Sequence, residues 1–238
     1  MWIKRSVAAI VVVLVTGGSV GTCRNGHAYI MPAEQLLDLM SSRFSRFHTV
    51  LLTQSTRLMT TEQDEDQAIT FEEKVWIKSP GFYGSLVVPE IVGQDMSPED
   101  IQTLRLDIDS AYRKLLVANT PNNLATYLME WDIDLETVSF TRLNGVIAFC
   151  IGAAPREGPR LLIEKERFLP LLLNYKTVFG AQTRMIEVRF KDYRKVRNGW
   201  FPFTIEYFLD GEPAETYLIL DADFNVSLPL GLIKNDLQ

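Results

Sequence analysis

Two histidines, two cysteines and thirty acidic residues make up most of the reactive inventory of this 238-residue chain. A Ser-His-Asp or Cys-His nucleophilic site needs a histidine between its nucleophile and an orienting carboxylate. Only His27 and His48 could supply it. The sequence holds no Gly-x-Ser-x-Gly elbow. It has no paired-cysteine or His-Glu-x-x-His metal spacing and no glycine-rich phosphate loop. Carboxylate groups such as Asp64-Glu65-Asp66 or Asp107 with Asp109 have the residue types for acid–base work. With thirty acids in the chain such groupings arise by chance, and a solvated face accounts for them. Asp221-Ala222-Asp223 with Asn225 lacks the glycine and terminal glutamate of a calcium loop. The expectation is therefore no catalytic residue, no metal and no cofactor. An esterase-like or glycosidase-like carboxylate pair assembled across a sheet, making the chain an envelope hydrolase, is a third-ranked alternative.

The N-terminus bears on compartment. Lys4 and Arg5 precede the apolar run Val7–Val15, too short to span a bilayer, which takes about 20 residues. The run has the length of a secretory h-region, and small and polar residues follow it to Ala28. Residues 1–28 are read as a signal peptide, with Gly26 and Ala28 at −3 and −1 of a cleavage before Tyr29. The alternative is an uncleaved anchor. Val20-Gly21-Thr22-Cys23 is close to a lipobox apart from Thr22, so Cys23 is a candidate lipidation site. It would tether the product to a membrane instead of leaving it free in the periplasm. Cys150, inside the apolar run Val146–Ile151, is expected to be a buried, inert thiol.

The net charge is −6. Residues 1–28 hold Lys4, Arg5 and Arg24 and no acid, so residues 29–238 carry −9. An acidic domain repels phosphate backbones, which argues against a nucleic-acid partner.

Periodicity places the elements. Leu36, Leu37, Leu39, Met40, Phe44 and Phe47 recur at helical spacing over 32–47. Strands are expected at 50–60, 69–78 and 82–88, with Val75 and Ile77 on the face opposite Trp76. Ser97-Pro98-Glu99-Asp100 has the signature of a helix start. A helical insert around 97–131 is predicted, as one helix to about Asn119 and a second from Asn122 to Trp131. Seven strands follow, at 138–143, 146–153, 160–164, 168–174, 183–193, 201–209 and 215–223. Asn144-Gly145, Gly158-Pro159, Asn198-Gly199 and Asp210-Gly211 separate some of them. Trp200 and Phe201, beside a turn, are candidates for an exposed rim. The order is that of an α+β domain over 29–238. A sheet of about ten antiparallel strands curls, and helices must cover one face.

Several segments resemble the LolA/LolB-like family of outer-membrane lipoprotein-sorting proteins. They are Phe44–Gln54, Val75-Trp76-Ile77-Lys78-Ser79-Pro80-Gly81-Phe82, Phe190–Tyr193 with Gly199–Pro202, and Val226–Leu230. The resemblance spans most of residues 29–238. It departs at Phe82-Tyr83-Gly84-Ser85 and in the length of the helical middle. It implies an unclosed, strongly curved antiparallel half-barrel with helices covering an apolar concave face. It also implies shielding of lipid or lipoprotein acyl chains in the periplasm. The implied cavity would be lined by Leu52, Val75, Ile77, Phe82, Leu86, Phe149, Ile186, Phe203 and Tyr207, with Leu36, Met40 and Leu116 as lid. Plain core packing is the competing role for each. A second functional reading is an envelope-anchored structural or regulatory module that binds a protein partner.

Overall fold

The computed structural model describes residues 30–44, 46–59, 68–78, 82–87, 110–117, 120–153, 158–179, 181–197 and 199–227. The predicted signal peptide, His27, Cys23, the helix start at Ser97 and the side chains of Phe82 and Leu86 lie outside the described residues.

The described elements are a helix α1 (Ala33–Phe44), strands β1 (Thr49–Leu58), β2 (Ile69–Lys78) and β3 (Phe82–Val87), helices α2 (Ser110–Leu116) and α3 (Pro121–Glu130), then seven strands. These are β4 (Val138–Leu143), β5 (Val146–Gly152), β6 (Arg160–Glu164), β7 (Pro170–Phe179), β8 (Gln182–Val196), β9 (Gly199–Leu209) and β10 (Glu212–Phe224). All ten strands form one antiparallel sheet in the order β3-β2-β1-β10-β9-β8-β7-β6-β5-β4. Every neighbouring pair is consecutive in sequence except β1 with β10. The last strand thus returns to the first and joins a three-strand meander to a seven-strand one. Edges β3 and β4 do not pair, so the sheet is an unclosed half-barrel.

Local chemistry explains the connections. Asn144 and Gly145 both have positive φ (49° and 84°), as do Asp210 and Gly211 (51° and 93°). Each is the two-residue primed turn that matches strand twist. The Asp210 carboxylate accepts from Met185 N–H (2.8 Å) and pairs with Arg184. The backbone hydrogen bond from Met185 foremost holds this carboxyl below its ordinary range. α3 opens on the Thr120 side chain, which accepts from Asn123 N–H, with Pro121 in the first turn. It closes on Asp132 at φ 60°, where Ile133 N–H reaches back to Leu128 O.

β1, β8, β9 and β10 start one to three residues before their sequence signals, and β7 starts after its own. Phe168 is a turn residue at φ 56°, and the strand begins at Pro170 and runs on to Phe179. Phe168 N–H donates to Glu164 O and Glu164 N–H to Leu169 O, so the chain reverses before the ladder starts.

The main core lies on the concave face. α1 presents Ala33, Leu36, Leu37, Met40 and Phe44 to it, all buried. Burying each of the larger four stabilises by roughly 1.5–3 kcal/mol. A smaller cluster of Ala148, Cys150, Leu162 and Leu172 forms on β5–β7. Cys150 is buried there as a free thiol, and burial raises its pKa, which keeps it protonated and unreactive. Gly152 closes β5 at φ 101°, where a Cβ would sit 2.6 Å from Pro159 O. Gly152→Ala is expected to cost about 2–3 kcal/mol, read as a lower urea midpoint at unchanged slope.

Candidate functional site

Alternation along each strand sends one row of side chains inward. On β1 that row is Val50, Leu52, Gln54, Thr56 and Leu58; on β2 it is Ile69, Phe71, Glu73, Val75 and Ile77. Register places Leu52 opposite Val75 and Gln54 opposite Glu73. The inner surface therefore passes from apolar to polar along the same two strands. β10 adds Tyr217 and Ile219, and β9 adds Phe203, Ile205 and Tyr207. β8 supplies Ile186, Val188 and Phe190, and β5 supplies Phe149 and Ile151.

Three helices cover this surface among the described residues. α2 docks through aromatics: the Tyr112 ring lies 5.7 Å from Tyr217, which lies 5.6 Å from Tyr207. Tyr112 N–H donates to the Tyr207 hydroxyl (3.2 Å). α3 adds Leu124 and Leu128, followed by Trp131 stacked 5.2 Å from Tyr175.

Ten of the twelve side chains predicted to line the cavity are described. Leu36, Met40, Leu52, Val75, Ile77, Leu116, Phe149, Ile186, Phe203 and Tyr207 belong to one continuous cluster and are at most 7% exposed. The structure brings them together as packed core on the concave face, in contact with the helices. Phe201 is fully buried in the same cluster, so of the two aromatics beside the turn only Trp200 reaches the rim.

Open space lies beside the packed face. A groove of about 690 Å³ runs between the start of α1, α3 and the segment entering β4. Met31, Ala33, Leu37, Ala125, Leu135 and Val138 give it an apolar floor, with Glu34 and Glu136 beside them. None of the ten lines it. Leu37 connects groove and interior, since it belongs both to the lining and to the core. The groove was not legible in the sequence, because its walls come from α1, α3 and the start of β4, which local pattern does not place side by side.

The polar part of the inner surface escaped the sequence reading. Glu73 is fully buried, and its Oε1 accepts from the Thr56 hydroxyl (2.6 Å) and from Gln54 Nε2 (2.9 Å). Glu215, two residues before Tyr217, accepts from that tyrosine's hydroxyl. The signal was present as glutamates on the inward parity of two strands. Thr56→Val keeps the shape and removes a donor from a buried carboxyl. It is expected to destabilise by about 1–3 kcal/mol, measured by urea unfolding, with little change for Glu72→Gln, half-buried on the outward face of the same strand.

His48 is exposed, and its backbone N–H donates to Asn225 Oδ1. Among the described residues no three His, Cys, Asp or Glu side chains are grouped to hold a metal ion.

No protein-family model matches the chain, and no curated protein matches it in sequence. Solved structures do. A domain described as that of an outer membrane lipoprotein-sorting protein from Vibrio parahaemolyticus is similar at 14% identity and a TM-score of 0.41. That match covers 84% of this chain and 96% of that one. A LolA superfamily protein from Nitrosomonas europaea is similar at 10% identity and a TM-score of 0.45, over 87% and 99% of the two chains. A DUF1329 family protein from Desulfovibrio piger is similar at 11% identity and a TM-score of 0.40, over 84% and 96%. At this level of similarity, what the chain does rests on the geometry of its own concave face.

Proposed function

We propose that the protein holds hydrophobic ligands, such as lipid or lipoprotein acyl chains, between its half-barrel and its helical cover, and that it works as a binding protein rather than an enzyme in the periplasm. The observation that carries this reading is the chemistry of the α1 cover. Leu36, Leu37, Met40 and Phe44 rest on the sheet's apolar inner side chains, and the groove at the start of α1 reaches that layer through Leu37. An acyl chain entering there replaces one apolar contact with another. Each CH₂ it removes from water contributes about 0.8 kcal/mol. No catalytic group is required, and none lines the groove beyond the two surface glutamates.

Export by residues 1–28 places the product in the periplasm. Lipidation at Cys23 would tether it there.

Native mass spectrometry with organic extraction, on protein purified from the periplasm, tests the reading. Expected are a co-purifying lipid or acylated peptide and uptake of a fluorescent fatty-acid probe. Both should be lost in Phe203→Asp and weakened in Leu135→Asp, which alters the groove floor without entering the core cluster. A clean apo mass with no probe uptake would overturn it in favour of a module that binds a protein partner.

A further inference from the structure

One end of the sheet differs in charge from the rest of the molecule. The β4–β5, β6–β7 and β8–β9 connections lie side by side there, because β4 to β9 are successive neighbours. Contacts tie the three together. Lys165 N–H donates to Ile147 O (3.1 Å), and the Lys165 ammonium lies 5.6 Å from the Phe140 ring. The Arg167 guanidinium lies 5.2 Å from the Trp200 ring. The Tyr193 hydroxyl donates to Pro170 O.

Residues 142–147, 164–168 and 191–197 of these tips hold seven Lys or Arg and three acids, a net +4 in a chain whose total is −6. Two of the three acids are engaged locally, and the third, Glu166, is exposed. Glu164 pairs with Arg167 and Asp192 with Arg194, while Lys191 pairs with Glu206. Arg142, Lys165, Lys195 and Arg197 are exposed and have no ion-pair partner among the described residues.

The same end exposes large apolar side chains. Phe140 is 41% exposed, Ile147 40% and Val146 39%. Phe140 stacks on Phe149 (4.8 Å), which stacks on Phe168 (6.2 Å, 12°). An exposed apolar patch thus continues into the core through one aromatic column. Phe168 holds its place at φ 56°, a conformation a bulky residue adopts only where its surroundings impose it.

We propose that this end of the half-barrel docks onto an anionic lipid bilayer. Arg142, Lys165, Lys195 and Arg197 meet headgroup phosphates, and Phe140, Val146 and Ile147 enter the interfacial layer. Cations alone would suit any polyanion. Aliphatic and aromatic side chains exposed among them suit a surface with an apolar layer beneath its charge. None of these seven side chains lines the groove beside α1, so the proposal does not require that the interior takes a ligand.

The test is co-sedimentation of the full chain with vesicles of phosphatidylcholine alone or with about one-third phosphatidylglycerol. Residues 1–28 are common to every variant, so differences between variants report on this end. Partition should favour the anionic vesicles at least tenfold and fall with salt. Each basic side chain near an anionic surface contributes roughly fivefold, so Lys165→Gln with Lys195→Gln should weaken partition by about 25-fold. Lys176→Gln, an exposed change well along β7, should leave it unaltered. Ile147→Ser should lower it about fivefold at constant charge. Melting curves matching the parent would exclude misfolding. No preference for anionic vesicles, or an equal loss with Lys176→Gln, overturns the proposal. Tighter binding to a polyglutamate peptide, with Ile147→Ser without effect, would overturn it in favour of an acidic protein partner.

Discussion

Truncating Phe47 to alanine is expected to remove about 3–5 kcal/mol of stability, the range for a buried aromatic, and to lower Tm by roughly 10 °C. Phe47 is 2% exposed, at the corner between α1 and β1. Its ring lies 4.2 Å from Phe224 on β10 and 6.5 Å from Phe201 on β9. Those two rings stack edge-on at 5.5 Å. One side chain thus joins the helical cover to two central strands. Gly199 makes the fit possible, since a Cβ there would sit 2.5 Å from the Phe47 ring and 2.9 Å from Arg43 O. Gly199→Ala should therefore destabilise by about 1–3 kcal/mol through overpacking. Both changes act through one contact, so the double variant should lose less than the sum of the singles. Strict additivity in urea unfolding would show that Phe47 and Gly199 do not act on each other.

Met40→Ala is expected to have opposite effects on stability and on ligand uptake. Met40 is fully buried between α1 and the sheet, and its truncation should cost about 2–4 kcal/mol. If a ligand must displace the α1 face, the closed cover competes with it. Apparent affinity is then reduced by the fraction of molecules in the open state. Loosening the cover by about 2 kcal/mol should tighten binding of a fluorescent fatty acid by roughly 30-fold, until the open state predominates. Phe190→Ala, a truncation on β8, would supply the comparison. Equal affinity in Met40→Ala and parent, at reduced stability, would mean that ligand enters without moving α1.

Much of the architecture was legible from local chemistry. β2, β4 and β6 have the bounds their patterns imply, because each is a short run ended by a turn signal or a break in pattern. Asn144-Gly145 and Asp210-Gly211 form the primed turns their residue types favour, since only such residues accept positive φ at low cost. α1 was legible because apolar residues at spacings of three and four can meet one surface only from a helix. Where the reading slipped, a tertiary partner had intervened. β7 begins two residues late because Phe168 reverses the chain to reach Phe149. Phe201 is interior because Phe47 and Phe224 close over it.

By itself the sequence determined that a long antiparallel sheet forms, that helices must cover it, and which side chains face inward. Those properties follow from periods of 2 and 3.6 and from turn residues, all local in the chain. Only the tertiary structure decided that β10 returns to β1, that Glu73 finds Thr56 and Gln54, and that the groove opens beside α1. It likewise gathered the basic tips of three hairpins onto one end of an acidic protein. The physical reason is that each depends on residues far apart in sequence, whose approach is set by the register and curvature of the whole sheet.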